Sequence, residues 1–313
     1  MIITPLAILE EKRLVEWTFL LKFLLQPPAL TTPTDASTGS LLVGRFFLRA
    51  LPNKLSVMLC SNLVLPEERM EAALNLPKEV FVAPWRSLYF SGALDRVNIP
   101  EYCTHTILKW EWEIPEISEK ILGSNIHTVF CTSTGKKCPL QTICYPDWVK
   151  PEIYSSEPKS GTFFIGWANN LLRRELVQKY SGRPEFSVKL RESYYNYDSK
   201  RNKEFEKEYC DGLATSEFCL CPKGVGSGTR RFWEALAAGS IPILISDEFE
   251  LPRCWDWDNT IIRLSEKKAL YLNDALIHHT RIPNKAERKE NCYKAHKFFT
   301  DPANISEYIR KCL

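Results

Sequence analysis

At 313 residues the chain is too long for one small core, and two domains of roughly 150 residues each are expected. Its 44% hydrophobic and 12% aromatic content excludes a disordered chain. A net charge of +3, with no long Lys/Arg run or basic stripe, argues against nucleic acid as the main partner and leaves room for a small anionic ligand.

The chain opens with an apolar run, Leu14 to Leu25, that holds only twelve residues and includes Glu16 and Lys22. A membrane-spanning helix needs about 20 nearly uncharged residues, so an amphipathic helix is the first reading and a degenerate signal-anchor the second. Gln26 to Ser40 is rich in Pro, Thr and Ser and reads as a linker. Residues 1–40 are thus set apart from an N-terminal α/β domain over 41–150. In that domain β-prone runs at Leu55 to Cys60, Val80 to Ala83, Thr104 to Trp110 and Ile126 to Cys131 alternate with turns or helix, as at Glu67 to Leu74. Pro146, Pro151 and Pro158 then interrupt regular structure, which puts the boundary near residue 150.

Over 151–313 the alternation is regular. Strands are predicted at Thr162 to Ile165, Phe186 to Leu190, Phe218 to Cys221, Ile241 to Ile245 and Thr260 to Leu264. Helices are predicted at Leu171 to Tyr180, Lys200 to Leu213 and Arg230 to Ala238. Such β-α-β order implies a parallel sheet, which binds ligands at the carboxyl ends of its strands. Three closing helices, Lys267 to His278, Lys285 to Phe299 and Ile305 to Lys311, are expected to brace the N-terminal domain.

The chemistry concentrates in Phe218 to Pro252. Pro222 ends a strand, and Gly224, Gly226 and Gly228 let the backbone adopt positive φ or approach a ligand closely. Ser227 or Thr229 is placed to cap the next helix, whose N-terminal N–H groups would hold a pyrophosphate. Arg230 and Arg231 stand in the first turn, where they oppose the helix dipole unless an anion lies between them. Glu234 shares their face and could accept hydrogen bonds from ribose hydroxyls. A plainer reading pairs it with Arg230 at i,i+4, worth about 0.2–0.5 kcal/mol. Neither a dinucleotide-binding G-x-G-x-x-G nor a phosphate-binding Gly-Lys-Ser/Thr is present.

This stretch resembles the exostosin family, glycosyltransferase family 47. The residues that carry the resemblance are Phe218-Cys219-Leu220, Pro222-Lys223-Gly224, Arg231-Phe232-Trp233-Glu234-Ala235-Leu236, Ile241-Pro242-Ile243, Ser246-Asp247 and Leu251-Pro252. Phe163 to Gly166 followed by Arg173 and Arg174 is similar to the segment that opens the family's donor domain, and Asp256-Trp257 to its continuation. Ser240 stands where many members have cysteine. About 150 residues carry the likeness and the first 140 little of it.

The resemblance implies an α/β fold of GT-B type, with two Rossmann-like domains facing a cleft. It implies inverting transfer from a nucleotide-sugar, a UDP-sugar such as UDP-xylose, to an oligosaccharide, polysaccharide or glycoprotein acceptor. No cofactor is required, although a divalent metal could stimulate the reaction, and homo- or heterodimers are compatible with it. Donor binding then falls to Arg173, Arg174, Gly224, Gly226, Ser227, Gly228, Thr229, Arg230, Arg231 and Glu234. Arg231 is also placed to steady the leaving group. The catalytic base is expected in the N-terminal domain, where Asp95, Glu111, Glu113, His105 and His127 are candidates, and Lys109 to Glu113 alternates Trp and Glu as a sugar site would. The alternative is a non-catalytic glycan-binding or scaffold protein of the same fold.

Metal sites find little support. Cys219 and Cys221 share one face of a strand and read as buried thiols; Cys292, His296, His278 and His279 lack a second metal-like pair; Asp256-Trp257-Asp258 has an Asp-x-Asp spacing used elsewhere for Mn²⁺. The compartment stays open between a soluble or cytoplasmic chain and a Golgi-lumenal one, where the sequon Asn304-Ile305-Ser306 would matter.

Overall fold

The computed structural model describes residues 74–83, 85–90, 94–108, 114–132, 138–147, 159–191, 199–224, 226–271 and 282–313. The apolar N-terminal run, the linker, Leu55 to Cys60, Glu67 to Ala73, the cluster at Lys109 to Glu113, and His278 and His279 all lie outside the described residues. Chain contacts divide the molecule into one unit comprising Met1–Phe130 and Ile305–Leu313, and a second comprising Cys131–Asn304. The sequence-based boundary at residue 150 is thus set against a division at residue 130, inside a strand.

The first sheet orders its strands β1 (Val80–Phe81), β2 (His105–Ile107), β3 (Thr128–Cys131) and β4 (Gln141–Cys144), and β1, β2 and β3 run parallel. Helix α1 (Trp85–Phe90) and a 3₁₀ turn at Leu94–Arg96 connect β1 to β2, and α2 (Pro115–Leu122) precedes β3. Pro115 at the first helical position suits a start whose N–H groups have no partner, and Gly123 follows the last turn. Trp85 packs by its ring against Phe81 and donates from its indole Nε1 to Ile107 O at 3.1 Å.

The second sheet is all parallel, in the order β6-β5-β7-β8-β9. Its strands are β5 (Thr162–Trp167), β6 (Phe186–Arg191), β7 (Phe218–Pro222), β8 (Ile241–Ile245) and β9 (Ile262–Leu264). The helices between them are α3 (Leu171–Tyr180), α4 (Ser199–Thr215) and α5 (Arg230–Ala238), and α6 (Glu266–Tyr271), α7 (Lys285–Thr300) and α8 (Pro302–Cys312) follow. Every residue of β7 and β8 is buried, as expected for central strands covered on both faces.

Pro242 sits in central β8 without breaking it. Ile241 N donates to Glu217 O on the β7 side, so the nitrogen of Pro242 faces the β9 side, and β9 pairs only from Ile243 onward. The missing N–H falls where no neighbour needs it. Helix α5 ends at Gly239, whose φ of 64° is left-handed and whose N–H closes back on the Ala235 and Leu236 carbonyls. Trp233 from α5, Trp257 and Phe299 from α7 form an aromatic cluster, with Trp257 and Phe299 stacked at 5.6 Å. Lys159 Nζ donates to Ala238 O at 2.7 Å and to Ala214 O at 2.5 Å, capping the ends of α5 and α4 together.

From Ile305 onward α8 belongs with the first unit. There Ser306 Oγ accepts from Asn75 N at 2.9 Å, and Arg310 donates to Asn75 O. Ser306 is buried, so this hydroxyl of the sequon is enclosed in packing.

Candidate functional site

In the second sheet the chain starts at β5, steps outward to β6, then returns to the other side of β5 and continues through β7, β8 and β9. The direction reverses between β5 and β7, and crevices for ligands form outside the carboxyl ends of strands at such a point. The pairing here is short. β5 pairs with β6 over six residues and β7 with β8 over five, but β5 and β7 pair only as Thr162↔Phe218 and Phe163↔Cys219.

Beyond that ladder the Ile165 carbonyl needs another donor, and Arg231 Nη2 supplies it. The guanidinium lies 4.5 Å from the centre of the Phe164 ring and 5.7 Å from that of Tyr209. Arg231 is only 8% exposed. Burial alone disfavours its charge, and the neighbouring Tyr209, Cys219, Cys221 and Glu234 more than offset this. Gly166 makes room: a Cβ there would meet Phe164 Cζ at 2.8 Å and Arg231 Nη2 at 3.0 Å.

The loop from β7 to α5 is braced from below. Lys223 N donates to Ile245 O at 3.0 Å, Gly224 N to Gly228 O at 3.2 Å, and Ser246 Oγ to Ser227 O at 2.8 Å. Asn170, the N-cap of α3, accepts from Arg173 N and donates through Nδ2 to Gly224 O at 2.8 Å. Arg173 donates from Nε to Lys223 O at 2.9 Å and from Nη2 to Pro222 O at 3.3 Å. Lys223 Nζ reaches Glu266 Oε2 at 2.7 Å.

The expected donor residues therefore divide into two groups. Gly224, Gly226, Ser227, Gly228, Thr229, Arg230, Arg231 and Glu234 all lie in the loop and first turns at the carboxyl end of β7. Arg173 is different: it is buried, and these donors go to loop carbonyls, so it holds the loop in place. Arg174 is exposed and donates to Ala168 O at 3.1 Å. Two details of the sequence reading are corrected. Gly224 has no positive φ, and a Cβ there would lie a tight 3.3 Å from Gly228 O. Thr229 occupies the N-cap position of α5 without a side-chain capping bond, and the Ser227 hydroxyl is buried without a partner.

Glu234 takes part in more than the expected pair. Arg230 Nε approaches its Oε1 at 3.5 Å and Asp147 Oδ2 at 4.0 Å, while the Tyr209 hydroxyl of α4 donates to its Oε2 at 2.5 Å. Three buried polar atoms around the switch point lack any hydrogen-bond partner: Asn169 Oδ1 after β5, Ser227 Oγ after β7 and Arg231 Nε on α5. Arg191 Nε and Ser240 Oγ are likewise without a hydrogen-bond partner, so it is their position at the switch point that makes these three candidates for a polar ligand.

The remaining candidates lie elsewhere. His105 begins β2 and His127 directly precedes β3, their rings 5.1 Å apart. Both therefore stand at the amino ends of their strands, opposite the side where parallel sheets take ligands. Asp95 lies in the 3₁₀ turn that leads back toward the start of β2; its carbonyl accepts from Lys120 in the last turn of α2, and its side chain is exposed. That topology speaks against these three as the base. Glu111 and Glu113 lie outside the described residues.

Asp256 accepts from Asn259 Nδ2 at 2.8 Å and from Asn259 N at 3.3 Å, bonds that hold its carboxyl below the usual range, and Trp257 Nε1 donates to Pro252 O at 2.7 Å. Asp256-Trp257-Asp258 thus builds a turn. Cys219, Cys221 and Cys292 are buried free thiols, and no His/Cys/Asp/Glu group suited to a metal occurs among the described residues. No described helix is long and apolar enough to cross a membrane. Sequence reasoning missed Tyr209, Asn169 and Asn170, and it named Gly166 for the resemblance without a role in the site. Gly166 closing the apolar run Phe163 to Ile165, and Asn170 before the helix, were the available signals.

Comparison with known proteins converges on the same stretch. The family model of the Exostosin GT47 domain matches residues 124–277.

Residues 124–277 form an exostosin-type GT47 domain.

Among curated proteins, an exostosin-1 homolog of Caenorhabditis elegans is 36% identical over 100 residues, covering 30% of this chain and 26% of that protein. A probable glucuronosyltransferase of Oryza sativa subsp. japonica is 32% identical over 121 residues, covering 38% and 24%. Exostosin-1 of Drosophila melanogaster is 38% identical over 87 residues, covering 27% and 11%. The chain spans about a quarter or less of the length of these relatives. Two solved structures, the GtfA/B complex and the pneumococcal O-GlcNAc transferase GtfA with UDP and GlcNAc, align with 67% of this chain and 45% of theirs. Their identities are 14% and 12% and their TM-scores 0.31 and 0.33, too low to bear on the site. The first sheet, in which β1, β2 and β3 run parallel, and the all-parallel second sheet agree with the expected α/β class.

Proposed function

We propose that the chain is an inverting glycosyltransferase whose GT47 domain holds a nucleotide-sugar, a UDP-sugar with UDP-xylose among the candidates, and passes the sugar to a glycan hydroxyl. The observation that carries this reading is the set of unpartnered buried polar atoms at Asn169, Ser227 and Arg231, gathered where strand order reverses. In the proposed pose the diphosphate lies on the loop from Gly224 to Thr229 and the uncapped start of α5, whose N–H groups and partial positive charge favour an anion. As the glycosidic bond breaks, negative charge grows on the diphosphate, and fixed donors aimed at it lower the barrier without moving. Arg231 contributes a charge already locked by Ile165 and Phe164. Glu234 takes the ribose hydroxyls. The acceptor hydroxyl loses its proton to a base placed opposite the leaving group, with Glu111 and Glu113 the candidates, and no metal takes part in the step.

The test is hydrolysis and transfer measured over a panel of nucleotide-sugars, with and without a chelator, beside calorimetric titration with UDP and GDP. Turnover of at least one donor, unaffected by chelator, is expected. Failure to bind any nucleotide would reject the donor site. Nucleotide-independent glycan binding without turnover would favour a non-catalytic glycan-binding or scaffold protein, and chelator-sensitive turnover would reject the metal-free step.

A further inference from the structure

Tyr209 stands on α4, outside the run of residues that the resemblance covers most closely, yet its hydroxyl reaches into the site. It is half-buried, with its ring 5.9 Å from that of Phe163 on β5 and 5.7 Å from the Arg231 guanidinium carbon. The hydroxyl donates to Glu234 Oε2 at 2.5 Å. Among the described residues the other carboxylate oxygen meets Arg230 Nε at 3.5 Å, and the Arg230 side chain is 44% exposed. An i,i+4 pair with so solvated an arginine contributes little. A glutamate left to it would sample several rotamers, and fixing such a side chain costs conformational entropy. The enclosed phenol removes that freedom before any ligand arrives. Burial, reinforced by the neighbouring carboxylate, holds the phenol well above the usual tyrosine range, so it stays a donor throughout the neutral region.

A carboxylate has about four acceptor positions, so a grip on one oxygen leaves room for two incoming hydroxyls. We propose that Tyr209 is a positioning residue that orients the Glu234 carboxylate toward the vicinal hydroxyls of the donor's ribose, and thereby sets the preference for a ribonucleotide over a 2′-deoxyribonucleotide. This rests on the donor-site reading above. A hydroxyl bonded to a charged acceptor contributes about 1.5–3 kcal/mol, which corresponds to roughly 10- to 150-fold in affinity.

The experiment compares UDP with 2′-deoxy-UDP, and GDP with 2′-deoxy-GDP, by calorimetry on the full chain and on Tyr209→Phe. The parent protein is expected to favour its ribonucleotide by about 10-fold or more. In Tyr209→Phe this ratio should fall below about 3-fold, with deoxynucleotide affinity nearly unchanged; the KM for donor should rise while kcat at saturating donor stays within about 3-fold. A full ratio retained in a folded Tyr209→Phe would overturn the proposal, because a purely structural tie between α4 and α5 alters melting temperature and leaves the ratio alone. Should that variant not fold, the parent protein carrying ¹³Cζ-tyrosine supplies the reading: UDP should shift the Tyr209 resonance and inorganic pyrophosphate should not, and equal shifts overturn the proposal. Nucleotide binding without ribose discrimination in the parent removes this inference and leaves the donor site standing. Absence of nucleotide binding removes the donor site itself.

Discussion

The two sheets place their polar chemistry at opposite ends. In the second, four of five strands run five or six residues, and the carboxyl ends of β5 and β7 collect a buried arginine, a braced glycine loop and three unpartnered polar atoms. In the first, strands run two to four residues, and the described titratable groups His105, His127 and Asp95 lie at or toward the amino ends. Parallel sheets offer ligands their carboxyl ends because helix N-termini and flexible connections converge there. On the proposed reading the described part of the first sheet is scaffold, and the second sheet carries the donor site.

The sharpest way to break this contrast is Arg231→Ala, which should lower transfer by about 10² or more. Activity within twofold of the parent would show that the leaving group is steadied elsewhere. Arg231→Lys separates two contributions, since lysine keeps charge but lacks the planar fork that reaches Ile165 O over the Phe164 face. It is expected to recover less than a tenth of the lost rate.

A smaller effect is expected at Gly212, where α4 crosses β5 so closely that a Cβ would run into the Phe163 ring. Gly212→Ala should destabilise the second unit by about 1–3 kcal/mol, read as a lower urea midpoint at unchanged m. An unchanged midpoint would mean that the helix shifts freely on the sheet. The same shift would move Tyr209, so the ribose preference of this variant should fall with its stability.

Smaller still are two pH effects, one in each unit. Glu217 is held by Lys285 Nζ at 2.8 Å and Lys289 Nζ at 3.0 Å. Burial alone pushes its carboxyl up, and the two lysines more than offset it, so its pKa lies below the ordinary 4.5. The unfolded chain therefore binds more protons between the two values. The stabilisation is present above pH 4.5 and disappears as pH falls through the lowered pKa. These side chains are partly solvated, so the effect is at most about 1 kcal/mol. Glu217→Gln should flatten the acid limb of the melting curve by that amount.

His105 is held below the ordinary 6.5 by burial and by the facing His127, against a smaller opposing pull from Glu79. Stability is again present above the unfolded value and lost as pH falls below 6.5. His105→Gln should remove the corresponding slope in melting temperature between pH 6.5 and 5 and leave transfer at neutral pH unchanged. A loss of transfer would return His105 to the reaction and undo the assignment of the first sheet as scaffold.

Legibility differed between the units for reasons of length and burial. The bounds of α3, α5 and β8 agree with the periodicity, because each element has a local stop: the Asn170 cap, the left-handed Gly239, and β8 as an unbroken apolar run. In the first sheet β4 (Gln141–Cys144) went unread, since Gln-Thr-Ile-Cys shows neither alternation nor an apolar run. The chain also passes from one unit to the other inside β3, ahead of the prolines that suggested a boundary. A strand shared between neighbours leaves no composition signal.

By itself the sequence determined the β-α-β order, the glycine loop ahead of an arginine-bearing helix and the likeness to exostosins, because strand burial, helix stops and backbone freedom are written in consecutive residues. Only the tertiary structure decided what each polar side chain serves. Arg173 was placed with the donor residues, and its guanidinium braces the loop carbonyls. Arg231 was read as facing an anion, and it also closes the gap where the ladder between β5 and β7 stops. Tyr209 carried no signal, since its bond to Glu234 joins residues 25 apart on two helices. Hydrogen bonds between distant segments depend on the packing of whole elements, and that geometry has no period along the chain.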